Sequence, residues 1–168
     1  MRAWVFALAV STSSVAVAQN PFDAAKQLVG DATTKKVEQE VNKRLLAEGR
    51  KNQCSFKTDS DELMPGCNQK MKKLATALVD AKKKLNGAGI RNYKFEVSGH
   101  TDTTGSADHN KALSGKRAAV IVKELVKSGV PEAEIISVGM GSDRPLVKPD
   151  DTPAKKAKNR RYEVQVRL

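Results

Sequence analysis

Aromatic residues, cysteine and histidine are all scarce in this sequence, and no apolar run is long. Aromatics make up 4% of the 168 residues, so aliphatic side chains must fill any core. That scarcity also removes the rings that a single-stranded nucleic-acid groove needs for base stacking. The two cysteines cannot make a zinc site alone. His100, Asp102 and His109 offer imidazoles and a carboxylate, but the histidines are separated by a loop and no fourth ligand follows. No metal is therefore expected. The sequence has no G-x-S-x-G elbow to turn Ser98, Ser106 or Ser114 into a hydrolase nucleophile. Gly139-Met140-Gly141 begins like a dinucleotide fingerprint, but Arg144 stands where its third glycine belongs. No cofactor is implied, and the expectation is a non-enzymatic protein.

Acidic residues are also in deficit. Lysine and arginine number 30 against 19 aspartates and glutamates, a formal charge of +11. Such an excess keeps a protein soluble and draws it toward carboxylate-bearing or anionic surfaces.

The first 18 residues read as an export signal, residues 1–18. Arg2 supplies the positive start, Ala3–Val10 the apolar stretch, and Ala16-Val17-Ala18 the small-residue cleavage site. Ser11–Ser14 make the segment too polar in its middle to span a bilayer well, so no transmembrane segment is expected in the mature chain. No cysteine follows the cleavage site, which predicts no lipoprotein anchor. Export places Cys54 and Cys67 in an oxidising compartment, where an even pair favours a disulfide. That bond would close a loop of about 14 residues and stabilise by roughly 3 kcal/mol in the chain-entropy model.

Residues 19–52 read as a helical extension. Phe22, Ala25, Leu28 and Val29 form a short apolar face broken at Gly30, and Asp31 can cap a second helix. Val37, Val41 and Leu45 then recur every fourth residue, with Leu46 beside them. This narrow stripe suits packing on the same chain, self-association, or an envelope protein partner.

Residues 53–168 alternate strand and helix patterns. Gln53–Phe56 is a weakly signalled first strand. Cys67–Leu85 is helical, with Met71, Leu74, Leu78 and Leu85 on one face. Tyr93–Ser98 alternates, and from about Asn110 a helix carries Ala118, Ile121, Val122 and Leu125 inward. Ile135–Val138 is a brief strand. Thr152–Asn159 is a short helix with Pro153 at its first position. Tyr162, Val164, Val166 and Leu168 alternate with polar residues in a closing strand. The pattern predicts an α+β fold, a two-layer sandwich of βαβαβ type with helices mostly on one face of the sheet.

Opposite charges flank the central loop. Asp102 follows the strand, and Arg117 lies two turns into the helix, on the side carrying Asn110 and Ser114. If the helix folds back over its strand, the two approach. A carboxylate and a guanidinium at a loop mouth suit a zwitterion, and they equally suit a plain surface salt bridge.

Four motifs stand in order. They are G-H-T-D-x-x-G (Gly99–Gly105), N-x-x-L-S-x-x-R-A (Asn110–Ala118), G-x-G-x-x-x-P (Gly139, Gly141, Pro145) and N-R-R-x-E (Asn159–Glu163). The series resembles the OmpA C-terminal-like peptidoglycan-binding domain, from about Gln53 to Leu168. The resemblance implies a mixed sheet. It also implies that Asp102 takes the ammonium, and Arg117 the carboxylate, of diaminopimelate in the stem peptide. Thr101, Gly105, Asn110, Leu113 and Ser114 would shape the pocket, while Asn159, Arg160 and Arg161 would be secondary, supporting the fold and the binding loop. The implied partner is peptidoglycan, in the periplasm of a Gram-negative-type bacterium, at the cell wall and within reach of the outer membrane. Thiol titration of the unfolded, unreduced mature protein should find no free thiol; two free thiols would refute the Cys54–Cys67 bond.

Overall fold

A computed structural model describes the backbone of residues 21–168 and side chains from residue 30 onward. The expected signal segment and the Phe22–Val29 apolar face lie outside the residues so described. Three strands alternate with helices. They are β1 (Lys94–His100), β2 (Ile135–Gly139) and β3 (Arg161–Arg167). Helices α1 (Pro21–Lys51) and α2 (Cys67–Gly87) precede them, α3 (Ala107–Lys127) joins β1 to β2, and α4 (Pro153–Asn159) precedes β3. The sheet order is β2-β1-β3. β1 runs parallel to β2, with Phe95 opposite Ile135, and antiparallel to β3, with Val97 opposite Val164. β1-α3-β2-α4-β3 makes a βαβαβ core, one strand later in the chain than the sequence pattern placed it, and the sheet is mixed, as the resemblance implied.

Helices α1, α2 and α3 pack on one face. Leu45, Leu74, Leu85, Ile121 and Leu125 are fully buried there, together with Phe95, Val97, Tyr162, Val164 and Val166 of the sheet. Each such aliphatic or aromatic side chain contributes about 1.5–3 kcal/mol through its removal from water. The other face is polar, with Arg167 bonded to Glu96 at 2.8 Å and Arg161 to Glu163 at 2.7 Å. Cys54 and Cys67 are joined in a disulfide.

Three features of the amino-terminal half bear on the sequence reading. First, Gly30 does not break the helix, and Asp31 caps nothing; α1 is continuous from Pro21 to Lys51. A glycine costs a helix only about 1 kcal/mol, which neighbouring turns absorb. Second, of the readings open for the Val37–Leu45 stripe, packing on the same chain is the one observed: Val41 and Leu45 are buried in this chain's own core with Val37 packed against it. Third, Gln53–Phe56 does not enter the sheet, and Phe56 makes only an isolated bridge with Leu63. Side-chain amides from α1 and the residues after it take the outer edge of β3 instead. The Gln53 amide donates to the Tyr162 carbonyl at 2.8 Å and accepts from its N–H at 3.2 Å. Asn42 does the same at Val166, at 3.2 and 2.6 Å. An amide offers one donor and one acceptor side by side, so it imitates a strand residue and satisfies an otherwise orphaned edge.

Helix α3 approaches the sheet backbone to backbone. A Cβ added at Gly139 would lie 2.6 Å from the nitrogen and 2.8 Å from the Cα of Gly115. One added at Gly99, the register partner of Gly139, would collide with the Ser114 carbonyl. Gly139→Ala should therefore destabilise the fold by about 1–3 kcal/mol through overpacking. Urea denaturation checks this, and an unchanged midpoint would contradict the close approach.

Candidate functional site

The close seating of α3 sets one wall of a cleft of about 620 Å³ at the carboxyl end of β1. Its floor is the β1–α3 loop. Thr101 donates its backbone N–H to the Gly141 carbonyl at 2.9 Å, and its buried hydroxyl has no partner. Asp102 follows, 7% exposed. One carboxylate oxygen accepts the Thr104 N–H at 2.9 Å, and the other accepts Nη1 of Arg160 at 2.7 Å. Burial alone would raise the pKa of Asp102, but the bonds from Arg160 and Thr104 outweigh it and hold the group below the ordinary carboxylate value. Gly105 turns the loop with φ of 91°, a left-handed conformation that favours glycine. Ser106 caps α3 by accepting the His109 N–H at 3.3 Å. Asn110 ties the loop to the helix, donating to the carbonyls of Thr104 at 3.0 Å and Asp102 at 3.4 Å.

Arg117 lies along the same cleft without pairing with Asp102. Its Nε donates to the Ser60 carbonyl at 2.8 Å and an Nη to that of Lys57 at 3.2 Å. Its guanidinium carbon lies 5.1 Å from the centroid of the Phe56 ring, a cation–π distance. Burial first, and the Arg160 charge second, lower its pKa from the usual arginine value. A guanidinium has five N–H donors, and the two carbonyls occupy only part of that set.

The expectation of an Asp102–Arg117 approach is corrected on this point: both line the cleft, but the ion pair is Asp102–Arg160. Arg160, expected only in support of the fold and the binding loop, is a cleft residue, because the end of α4 brings it over the β1–α3 loop. Leu113 lines the cleft as expected. Ser114 does not; fully buried, it donates to the Lys111 carbonyl at 3.0 Å and accepts the Gly141 N–H at 2.9 Å. Asn159 is also fully buried, accepting from the N–H groups of Leu146 and Val147 and donating to Val147 and Asp150. Asp150 in turn accepts both the hydroxyl and the N–H of Thr103, and the Thr103 and Asn159 bonds push its carboxyl down to about 2. Arg161 turns away, to Glu163 and the Arg144 carbonyl.

Sequence reading missed the opposite wall. Phe56, Lys57, Thr58 and Asp59 come from the loop before α2, and Thr104, His109 and Lys156 complete the rim. Lys156 donates to the Thr104 hydroxyl at 2.9 Å, and His109 meets Asp59 at 2.7 Å. His100 is the last residue of β1, with its Nε2 3.3 Å from the Ser98 hydroxyl. The two histidines thus face different partners.

A model of the OmpA family matches residues 55–160. This chain belongs to the OmpA family. Among its OmpA-family relatives, the peptidoglycan-binding protein ArfA of Mycobacterium tuberculosis is 41% identical over 73 residues, 44% of this chain and 22% of ArfA. The peptidoglycan-associated lipoprotein of Pseudomonas aeruginosa is 34% identical over 110 residues, 66% of this chain and 59% of the lipoprotein. The match thus spans less than two thirds of either relative. Among solved structures, the peptidoglycan-associated lipoprotein from Burkholderia pseudomallei superposes with a TM-score of 0.56 at 23% identity, covering 68% of this chain and 89% of that one. A MotB-like protein from Desulfovibrio vulgaris gives 0.58 at 18% identity, covering 84% and 94%. At such identities the likeness establishes the fold. Among the described residues, no helix is long and apolar enough to cross a membrane.

The environment of His100 has a consequence in acid. Burial first, and the Arg161 charge second, lower its pKa from 6.5 to about 4. The unfolded chain therefore binds the proton before the folded one does. Stability should be full above about pH 6.5 and fall as the pH drops toward 4. His100→Gln should flatten that segment of the curve in denaturant titrations at stepped pH; an unchanged slope would contradict the assignment.

Proposed function

We propose that this chain binds peptidoglycan non-covalently, through the diaminopimelate of the stem peptide, and performs no chemistry on it. The observation carrying this reading is charge placement: a buried, ionised Asp102 at the floor of an open cleft, with Arg117 and Arg160 on its walls. A diaminopimelate side-chain terminus bears an ammonium and a carboxylate on one carbon. The ammonium adds to the lone pairs that Asp102 retains. The carboxylate meets the donors of Arg117 not already bonded to Lys57 and Ser60. Arg160 neutralises Asp102 before the ligand arrives and offers the second cation. Thr101, Gly105, Asn110 and Leu113 shape the cleft, and Ser114, Asn159 and Arg161 hold the surrounding backbone. The names of the relatives, one peptidoglycan-binding and one peptidoglycan-associated, support the same ligand.

The protein would act in the periplasm at the cell wall. In that reading residues 1–18 are an export signal, 19–52 a helical extension and 53–168 the wall-binding unit, with the second half of α1 packed onto that unit.

The test is pelleting with purified diaminopimelate-type sacculi, beside thermal melting. Asp102→Ala should weaken binding by roughly ten- to over a hundredfold, one charge-assisted hydrogen bond or more. The fold should survive, because Arg160, with its side chain 46% exposed, can return to water when its partner is removed. Arg117→Lys keeps the charge but loses the planar fork, and should also bind measurably worse. Folded variants that both pellet like the parent protein would overturn the proposal.

A further inference from the structure

The loop between Cys54 and Cys67 has little regular structure of its own, yet it forms the whole wall against which Arg117 lies. It is tied at several points. The disulfide closes it, and both sulfur-bearing residues are buried, at 6% and 7% exposure. Phe56 bridges Leu63, with Lys57 N–H donating to the Glu62 carbonyl and Met64 N–H to that of Ser55, each at 2.9 Å. Everything this wall gives to Arg117 comes from inside the closed loop: the Lys57 and Ser60 carbonyls and the Phe56 ring. Arg117 itself belongs to α3, 57 residues beyond Ser60. Nothing covalent near Arg117 sets its guanidinium against these acceptors; only the conformation of the loop does.

We infer that the Cys54–Cys67 disulfide is the positioning element of the ligand-binding guanidinium. It holds Lys57, Ser60 and Phe56 in place so that the remaining donors of Arg117 face the cleft. This deepens the peptidoglycan reading and rests on it for the identity of the ligand. The physical basis is chain entropy. An open loop of this length must order each residue against its own conformational freedom, and a cross-link at its ends removes much of that cost. Without the link, the carbonyls spread over an ensemble, and the half-buried cation loses acceptors that offset its desolvation. The effect is on orientation, and most of the core, Leu74, Leu78, Phe95 and Val164 among it, is built from residues outside the loop.

The experiment compares oxidised protein with protein reduced by a phosphine. The S–S bond is cleaved to two thiols, and phosphorus is oxidised to the phosphine oxide with oxygen from water. A thiol count confirms completion, and Cys54→Ser/Cys67→Ser serves as a second, permanently open form. Sacculus affinity is measured well below each melting temperature. Opening the loop should weaken binding by about five- to tenfold, the worth of roughly one hydrogen bond. In an Arg117→Ala background the same opening should change nothing further, because the residue it acts through is gone. Equal affinity of the oxidised and open forms would overturn the inference, and so would an equal loss in the Arg117→Ala background. A ligand-free readout keeps the two proposals apart. The Arg117 Nε–Hε resonance should be distinct and slowly exchanging in oxidised protein, and collapse to the position of a solvated arginine when the loop is opened. If oxidised protein fails to bind sacculi, the peptidoglycan reading falls, and this resonance still decides whether the disulfide positions Arg117.

Discussion

Everything that forms the cleft depends on how closely α3 lies against the ends of β1 and β2. Gly99, Gly115 and Gly139 leave no side chain between helix and sheet. With backbone against backbone, Ser114 can bridge from α3 to the Gly141 N–H, and Asn110 can reach back into the β1–α3 loop. A methyl group at the contact would lift the helix and carry Arg117 away from the floor that holds Asp102. The antiparallel pairing of β3 with β1 then fixes the remaining wall, since it brings the α4–β3 junction, and Arg160 with it, to the same end of the sheet.

Charge inside the cleft is unevenly partnered. Asp102 has a full partner in Arg160, whereas Arg117 is held by neutral carbonyls and the face of a ring. Carbonyl dipoles orient a cation without cancelling it. The cleft thus keeps one oriented positive group beside a second, and each raises the cost of the other. An anion arriving between them relieves that repulsion, while a cation finds only the lone pairs Asp102 has left. This asymmetry favours a ligand that presents both signs close together.

Much of the core was legible because burial writes itself into sequence with the period of each element. Met71, Leu74, Leu78 and Leu85 on α2, Ala118, Ile121 and Leu125 on α3, and Tyr162, Val164 and Val166 on β3 all face inward as their spacing predicts. The motif residues Thr101, Asp102, Gly105, Asn110, Leu113 and Arg117 do meet at one cleft. What sequence could not supply was pairing across distance. Arg160 stands 58 residues from Asp102, and nothing local says which arginine the carboxylate takes. The wall built from Phe56 to Asp59 carries no periodic signal, because an irregular loop leaves none. The expected first strand failed for a related reason. Edge pairing is a demand of the partner strand, and an amide side chain can meet it as well as a backbone can.

That last substitution ties α1 and the residues after it to β3. Asn42 bonds to Val166 across 124 residues, and Gln53 to Tyr162 across 109, with the Tyr162 hydroxyl donating to the Asn52 carbonyl besides. During synthesis α1 emerges long before β3, the strand it docks on. Until β3 arrives, Val41 and Leu45 lack one side of their seat, and the core stays open. Such long-range closure slows folding, since the loop entropy is spent before the contacts form. It also ties closure of the core to the arrival of β3, so a chain without that strand leaves apolar surface open to any machinery that recognises it.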